Sequence, residues 1–195
     1  MELKSDINKL VDSFSLIRTL SVQACELLEI EDFNLQAAVF VSPAKWHLAH
    51  TTWFFETFIL KPYVSDYQVF HEAYELMYNS YYNAIGKQYP RPQRGLLSRP
   101  TVSEIKSYRQ YVDDAMTQLL SKVEQEKCTD LETIVQRTEL GLEHEKQHQE
   151  LFYTDIKYAF SLNPLNPLNP LNPAYAEDEV APPTQLQNIA WKDYS

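Results

Sequence analysis

Apolar residues return near the start of the chain at the spacing of a helix face: Ile7, Leu10, Val11, Phe14, Ile17, Leu20 and Ala24. At about 3.6 residues per turn these positions share one stripe, which predicts a helix from Ser5 to Leu28 with one face buried. A second helix is predicted in SPAKWHLAHTTWFFETFIL, residues 42–60, with Ser42 as N-cap and Pro43 in the first helical position, stopping before Lys61 and Pro62. The aromatic stretch VFHEAYELMYNSYYNAIG, residues 69–86, reads as helical, and YPRPQRGLLSRP, residues 89–100, as a long loop. Two more helix starts are marked by Thr101-x-x-Glu104 and Thr129-x-x-Glu132. In each capping box the threonine oxygen and the glutamate carboxylate take up amide donors left free by the first turn. The last helix runs from Thr129 or Asp130 toward Leu162. Four long helices with an irregular Pro/Arg-rich insertion predict an all-α bundle.

Composition strengthens the helical reading. The chain has three glycines in 195 residues, and tight hairpins between strands usually require glycine at positive φ. The pattern breaks at NPLNPLNPLNP, residues 163–173, where repeated prolines forbid helix. Residues 1–163 therefore read as one helical domain and residues 164–195 as a Pro-rich linker and extended tail. A net charge of −10 opposes binding to nucleic acid or to anionic membrane surfaces. The two cysteines, Cys25 and Cys128, are far apart and outside any C-x-x-C, which fits a reducing cytoplasm. No stretch approaches the roughly 18 apolar residues of a membrane span.

Chemistry concentrates in HEKQHQE, residues 144–150, which carries the H-E-x-x-H spacing of zinc proteases. His144 and His148 stand one turn apart and can reach one ion. Their face continues through Leu140, Gly141, Leu151 and Asp155, which predicts that the imidazoles point into the bundle. The protease reading weakens because QELFYTDIKYAFSLN offers no third zincin ligand and the chain offers no strand to bind a peptide. Glu145 is then expected on the solvent side of its helix. The missing ligand is expected from WHLAH, where His47 and His50 lie at i, i+3 among Trp46, Trp53, Phe54 and Phe55; spacing alone admits either histidine. Three neutral imidazoles would leave an ion its full charge and open positions for substrate.

SPAKWHLAHTTWFFETF, NSYYNAIGKQYPRPQRGLLSRPTV and HEKQHQELFYTDIKYAFSLNPL together resemble, in order from Ser42 to Leu165, the N-terminal DinB-like domain of the ergothioneine sulfoxide synthase family. The resemblance implies a DinB-like four-helix bundle that holds iron(II) through His50, His144 and His148, with His47 as a neighbour. Zinc or nickel are the other ions such a site admits. It also implies an oxidoreductase that uses oxygen to join a cysteine-type thiol to trimethylated histidine, giving a sulfoxide. Gln147 matches a position beside the metal, and Arg91 and Arg94 become candidates for pairing with substrate carboxylates. For the two arginines a solvated loop or a helix cap is the competing role. Family members carry a second domain resembling the formylglycine-generating enzyme, which supplies much of the pocket and a catalytic tyrosine. The chain is therefore expected to be incomplete alone, with that domain absent or acting in trans. Two other readings compete: a divalent-metal-dependent thiol transferase of the DinB superfamily, and a non-enzymatic bundle that docks a partner through its tyrosine-rich segment.

Overall fold

The computed structural model describes residues 2–80, 86–125 and 130–165, and it is helical, with no strand among the described residues. The helices are α1 (Glu2–Gln23), α2 (Ala44–Phe55), α3 (Lys61–Tyr63), α4 (Tyr74–Tyr78), α5 (Val102–Gln125) and α6 (Leu131–Ser161). The long helices α1, α2, α5 and α6 pack on one another: α1 lies against α5 and α6, and α2 against the same two. Their shared core includes Phe14, Phe55, Tyr108, Met116, Ile134 and Phe152. No helix among the described residues is long and apolar enough to cross a membrane.

The buried stripe of α1 starts as predicted with Ile7, Leu10, Phe14 and Ile17, but continues through Arg18, Ser21 and Cys25. Leu20 is 43% exposed. The second half of α1 faces a polar layer of the interior, so apolar spacing alone misplaces its face. The helix also ends five residues before Leu28, in a turn closed by bonds such as Cys25 N to Val22 O at 2.9 Å. Cys25 is a free, buried thiol.

All twelve residues of α2 are buried, which makes it the central helix. Its N-cap is Pro43 and not Ser42. The Ser42 hydroxyl instead accepts from Arg94 Nη1 at 2.9 Å, and its backbone N–H donates to Asp155 Oδ2 at 2.8 Å. Nor does the helical path stop before Lys61. It passes through a π-turn at Glu56–Leu60 into α3, which contains Pro62. Proline removes the donor that Phe58 O would accept in a regular helix. Arg137 Nη1 fills that place at 2.8 Å. The π-turn also turns Glu56 inward, where it accepts from Tyr67, Tyr108 and the backbone of Phe70.

Within residues 69–86 the described helix is confined to α4; residues 81–85 lie outside the described residues. The loop that follows contains a short 3-10 turn, Arg91–Leu96, fastened by Gln36 Nε2 to Arg91 O at 2.7 Å and Asn34 Nδ2 to Gly95 O at 2.5 Å. The capping box at α5 forms in both directions: Thr101 N to Glu104 Oε2 at 2.7 Å and Glu104 N to Thr101 Oγ1 at 3.2 Å. Thr129, its counterpart before α6, lies outside the described residues, as does the tail from residue 166.

Gly141 lets α6 approach α2. A Cβ there would stand 2.6 Å from Phe55 Cε1 and 3.0 Å from Phe54 Cε1, against rings that are themselves buried. In an open helix, Gly→Ala stabilises by about 1 kcal/mol. Here overpacking reverses the sign, and Gly141→Ala is expected to destabilise by roughly 1–3 kcal/mol in urea denaturation. A gain in stability would show that the two helices have room to separate.

Candidate metal centre

WHLAH on α2 and HEKQH on α6 face each other across the Gly141 contact. His50, His144 and His148 bring ring nitrogens within 4.8 Å of one another. Ring centroids are 4.9 Å apart for His50 and His144, 4.7 Å for His50 and His148, and 4.6 Å for His144 and His148. His50 lies between indoles, stacked 4.4 Å from Trp46 and 5.7 Å from Trp53. Its Nδ1–H donates to Tyr78 O at 2.6 Å, which leaves the Nε2 lone pair free.

His47 stands outside this group of three. Its Nδ1 lies 2.9 Å from His148 Nδ1, and its Nε2 lies 3.1 Å from Asp155 Oδ2. On α6 the two site histidines occupy the edge of the buried stripe. Gly141, Glu145 and Phe152 lie inward of them, whereas Leu140, 60% exposed, and Leu151, 38% exposed, lie outward. The expected apolar extension of the histidine face is thus the outer rim of the site. Asp155 and Gly141 are buried as the pattern requires.

Burial keeps all four imidazoles neutral. It pulls His144 down to about 4 and His148 well below the ordinary histidine value, the latter helped by the neighbouring His50 and His47. His50 and His47 are lowered by burial as well. Three neutral nitrogens from two helices suit a divalent ion of intermediate softness such as zinc, iron or nickel. Nitrogens held about 2.1 Å from one ion stand roughly 3–3.5 Å apart, so the rings need only close by about an ångström. His144 Nδ1 is buried without a hydrogen-bond partner, an acceptor or donor that a bound group would satisfy.

The stability of the metal-free protein depends on pH through these rings. His144 titrates near 4 when folded and near 6.5 when unfolded, so between these values the unfolded chain binds more protons. Stability should be full above pH 6.5 and decline as pH falls toward 4. Urea midpoints measured with chelator from pH 7.5 to 4 test this; a flat profile would mean that the rings are solvated.

Behind the histidines, Glu145 is fully buried rather than solvent-facing. Its Oε2 accepts from Arg18 Nη1 at 2.9 Å, and its Oε1 accepts from Ser21 Oγ at 2.6 Å and from Arg109 Nη2. Burial alone would raise this carboxyl, but the charges of Arg109 and Arg18 hold it down at about 2. Arg18 continues to Asp113 at 2.6 Å and to Thr52 at 3.0 Å. H-E-x-x-H thus forms with its glutamate facing a guanidinium pair and not the histidines' open side. The space between His47, His148, Glu145 and Cys25 is only 20 Å³, about one water. Nothing larger than a water fits there, and the more exposed side of the histidines is the outer rim of α6.

Gln147 is on that rim, exposed and one residue before His148. Arg94 is buried: its guanidinium stacks 3.4 Å from the Trp46 ring centroid and donates to Ser42 and Ser80. Arg91 is half-buried at the start of the same 3-10 turn. Asp155 and Glu145 are the participants that the sequence reading did not assign. Asp155 carries a signal in hindsight, lying seven residues beyond His148 on the histidine face, whereas the arginines that enclose Glu145 come from α1 and α5 at no fixed spacing. The chain matches no protein-family model and no curated protein.

Proposed function

We propose that the chain is the iron(II)-binding, DinB-like four-helix domain of an ergothioneine-synthase-like sulfoxide synthase, acting on a cysteine-type thiol and trimethylated histidine with oxygen. The observation that carries the metal part is the meeting of His50, His144 and His148 from α2 and α6 at one buried-to-exposed edge. The choice of iron and of the reaction rests on the resemblance of the three sequence segments.

When bound, iron(II) supplies positions for a thiolate and an imidazole and electrons for oxygen reduction. The protein's own groups do the rest. Tyr78 O holds the His50 ring, Trp46 and Trp53 keep water from its flanks, and Gly141 keeps the two helices close. Gln147 is placed to hydrogen-bond a molecule arriving at the rim. Of the two candidate carboxylate partners, Arg91 is half-buried at the start of the 3-10 turn and is the more accessible, whereas the Arg94 guanidinium is held on Trp46 by Ser42 and Ser80.

The open rim of Leu140, Gln147 and Leu151 supports a reading in which a second domain, resembling the formylglycine-generating enzyme, covers the site and completes it. Oxygen activation requires exclusion of bulk water and two oriented substrates. The 195 residues loaded with iron(II) should therefore show no appreciable sulfoxide formation with trimethylated histidine, cysteine thiol and oxygen. Turnover should appear when the second domain is added. Oxygen uptake and product mass provide the assay. Robust turnover by the chain alone would overturn the two-domain reading, and thiol transfer to an electrophile without oxygen uptake would select the thiol transferase.

A further inference from the structure

His47 and Asp155 have no place among the three ligands, yet both are buried and bonded to each other beside His148. The direction of each bond can be worked out from the end of the chain. Asp155 Oδ2 receives the backbone N–H of Ser42 at 2.8 Å, and a carboxylate oxygen only accepts. The 3.1 Å contact therefore requires a proton on His47 Nε2. A neutral imidazole protonated at Nε2 has a bare Nδ1, so the 2.9 Å contact between the two Nδ1 atoms requires the proton on His148. His148 is left with its lone pair on Nε2, the nitrogen turned away from His47.

We propose that Asp155 and His47 form a positioning relay that fixes the tautomer and ring angle of His148, holding Nε2 unprotonated for a divalent ion and increasing its donor strength. The relay rests on the metal-centre reading, and it gives the two histidines of WHLAH different tasks. His50 is held in the same tautomer by a backbone carbonyl, Tyr78 O, which cannot exchange its role. His148 is held by a side-chain chain whose anchor, Asp155, accepts from the backbone N–H of Ser42, the residue before the α2 N-cap. Docking of α2 on α6 thereby sets the protonation pattern of a ligand. No hydrogen bond fixes the tautomer of His144 in this way, because its Nδ1 has no partner.

The test uses the full chain. Long-range proton–nitrogen NMR of the metal-free protein at pH 7.5, assigned by loss of signals in His148→Ala, should show the His148 proton on Nδ1. A proton on Nε2 overturns the relay without any further variant. Competition with a chromophoric chelator then measures affinity for zinc(II), chosen as a redox-silent probe. His47→Phe, which removes the acceptor, should mix the His148 tautomers and weaken zinc binding about 10–100-fold, the range typical of lost outer-shell partners. His47→Asn places an amide oxygen near the Nδ1 position and should recover most of that loss. Asp155→Asn keeps an acceptor oxygen for Ser42 and His47 but removes its charge, so the tautomer should persist with a smaller loss. Circular dichroism confirms folding of each variant. Folded His47→Phe with unchanged tautomer and affinity, or equal losses in His47→Phe and His47→Asn, would overturn the proposal. If the wild-type chain binds no zinc, the metal-centre reading fails, and the NMR result still decides the direction of the bonds.

Discussion

His144→Ala and His148→Ala are each expected to lose stoichiometric uptake of a divalent ion, whereas the unaltered chain takes up about one ion. The loss should exceed the roughly 100-fold set by removal of an outer hydrogen bond, because a donor to the ion itself disappears. His50→Ala should behave like these two. His47→Ala should retain most metal at stoichiometric concentration, since its nitrogen faces His148 and Asp155, and a weakened site is still filled there. Isothermal titration with zinc(II) and metal analysis of the purified variants separate these cases. Full occupancy in a His144→Ala, His148→Ala double variant would sink the centre, and release of metal by His47→Ala but not His50→Ala would exchange the roles of the two α2 histidines.

Much of this centre was legible in the chain because helical spacing is local. His144 and His148 one turn apart, and Thr101 three residues before Glu104, are contacts within one helix, and the structure contains both. The helical content and the loop at residues 89–100 were also written locally, in a shortage of glycine and a run of prolines, whereas the helix expected over 69–86 is, among the described residues, confined to α4. What escaped was set by neighbours distant in sequence. The helical path runs one residue past Pro62, to Tyr63, and Arg137, from α6, donates to the Phe58 carbonyl that proline leaves without its regular donor. The α1 stripe turns from apolar to polar at Arg18 because Glu145 waits across from it. Ser42 looked like a helix cap, yet its hydroxyl is taken by Arg94 from the loop beyond α4. Pattern reading places residues on faces; it does not report which charged group on another helix will meet them.

Glu145→Ala should be the most destabilising single change on α6. Arg18 and Arg109 each have 3% side-chain exposure, and both point at this carboxylate. Its removal leaves two buried guanidinium groups close together in the interior, with Asp113 bonded to Arg18 as the remaining carboxylate. Breaking a buried pair in this way typically costs about 3–5 kcal/mol, a large share of the roughly 5–15 kcal/mol that holds a domain folded. Glu145→Gln keeps the shape and some hydrogen bonds but not the charge, and should lose less. Replacing all three groups together, with Arg18→Met, Glu145→Leu and Arg109→Met, removes the unpaired charges as well as the pair and should fall much closer to the unaltered chain. Urea midpoints for the three proteins decide the matter: an alanine variant within about 1 kcal/mol of the original would mean that water reaches the arginines in the native state. The same series tests whether Glu145 serves the ion. Zinc at about 100 times its dissociation constant adds roughly 2.7 kcal/mol to any folded chain that binds it. Because Glu145 faces Arg18, Arg109 and Ser21, that increment should be as large in the folded Glu145→Gln variant as in the original; its disappearance there would show that the carboxylate acts on the ligand His144 and not only on the arginines.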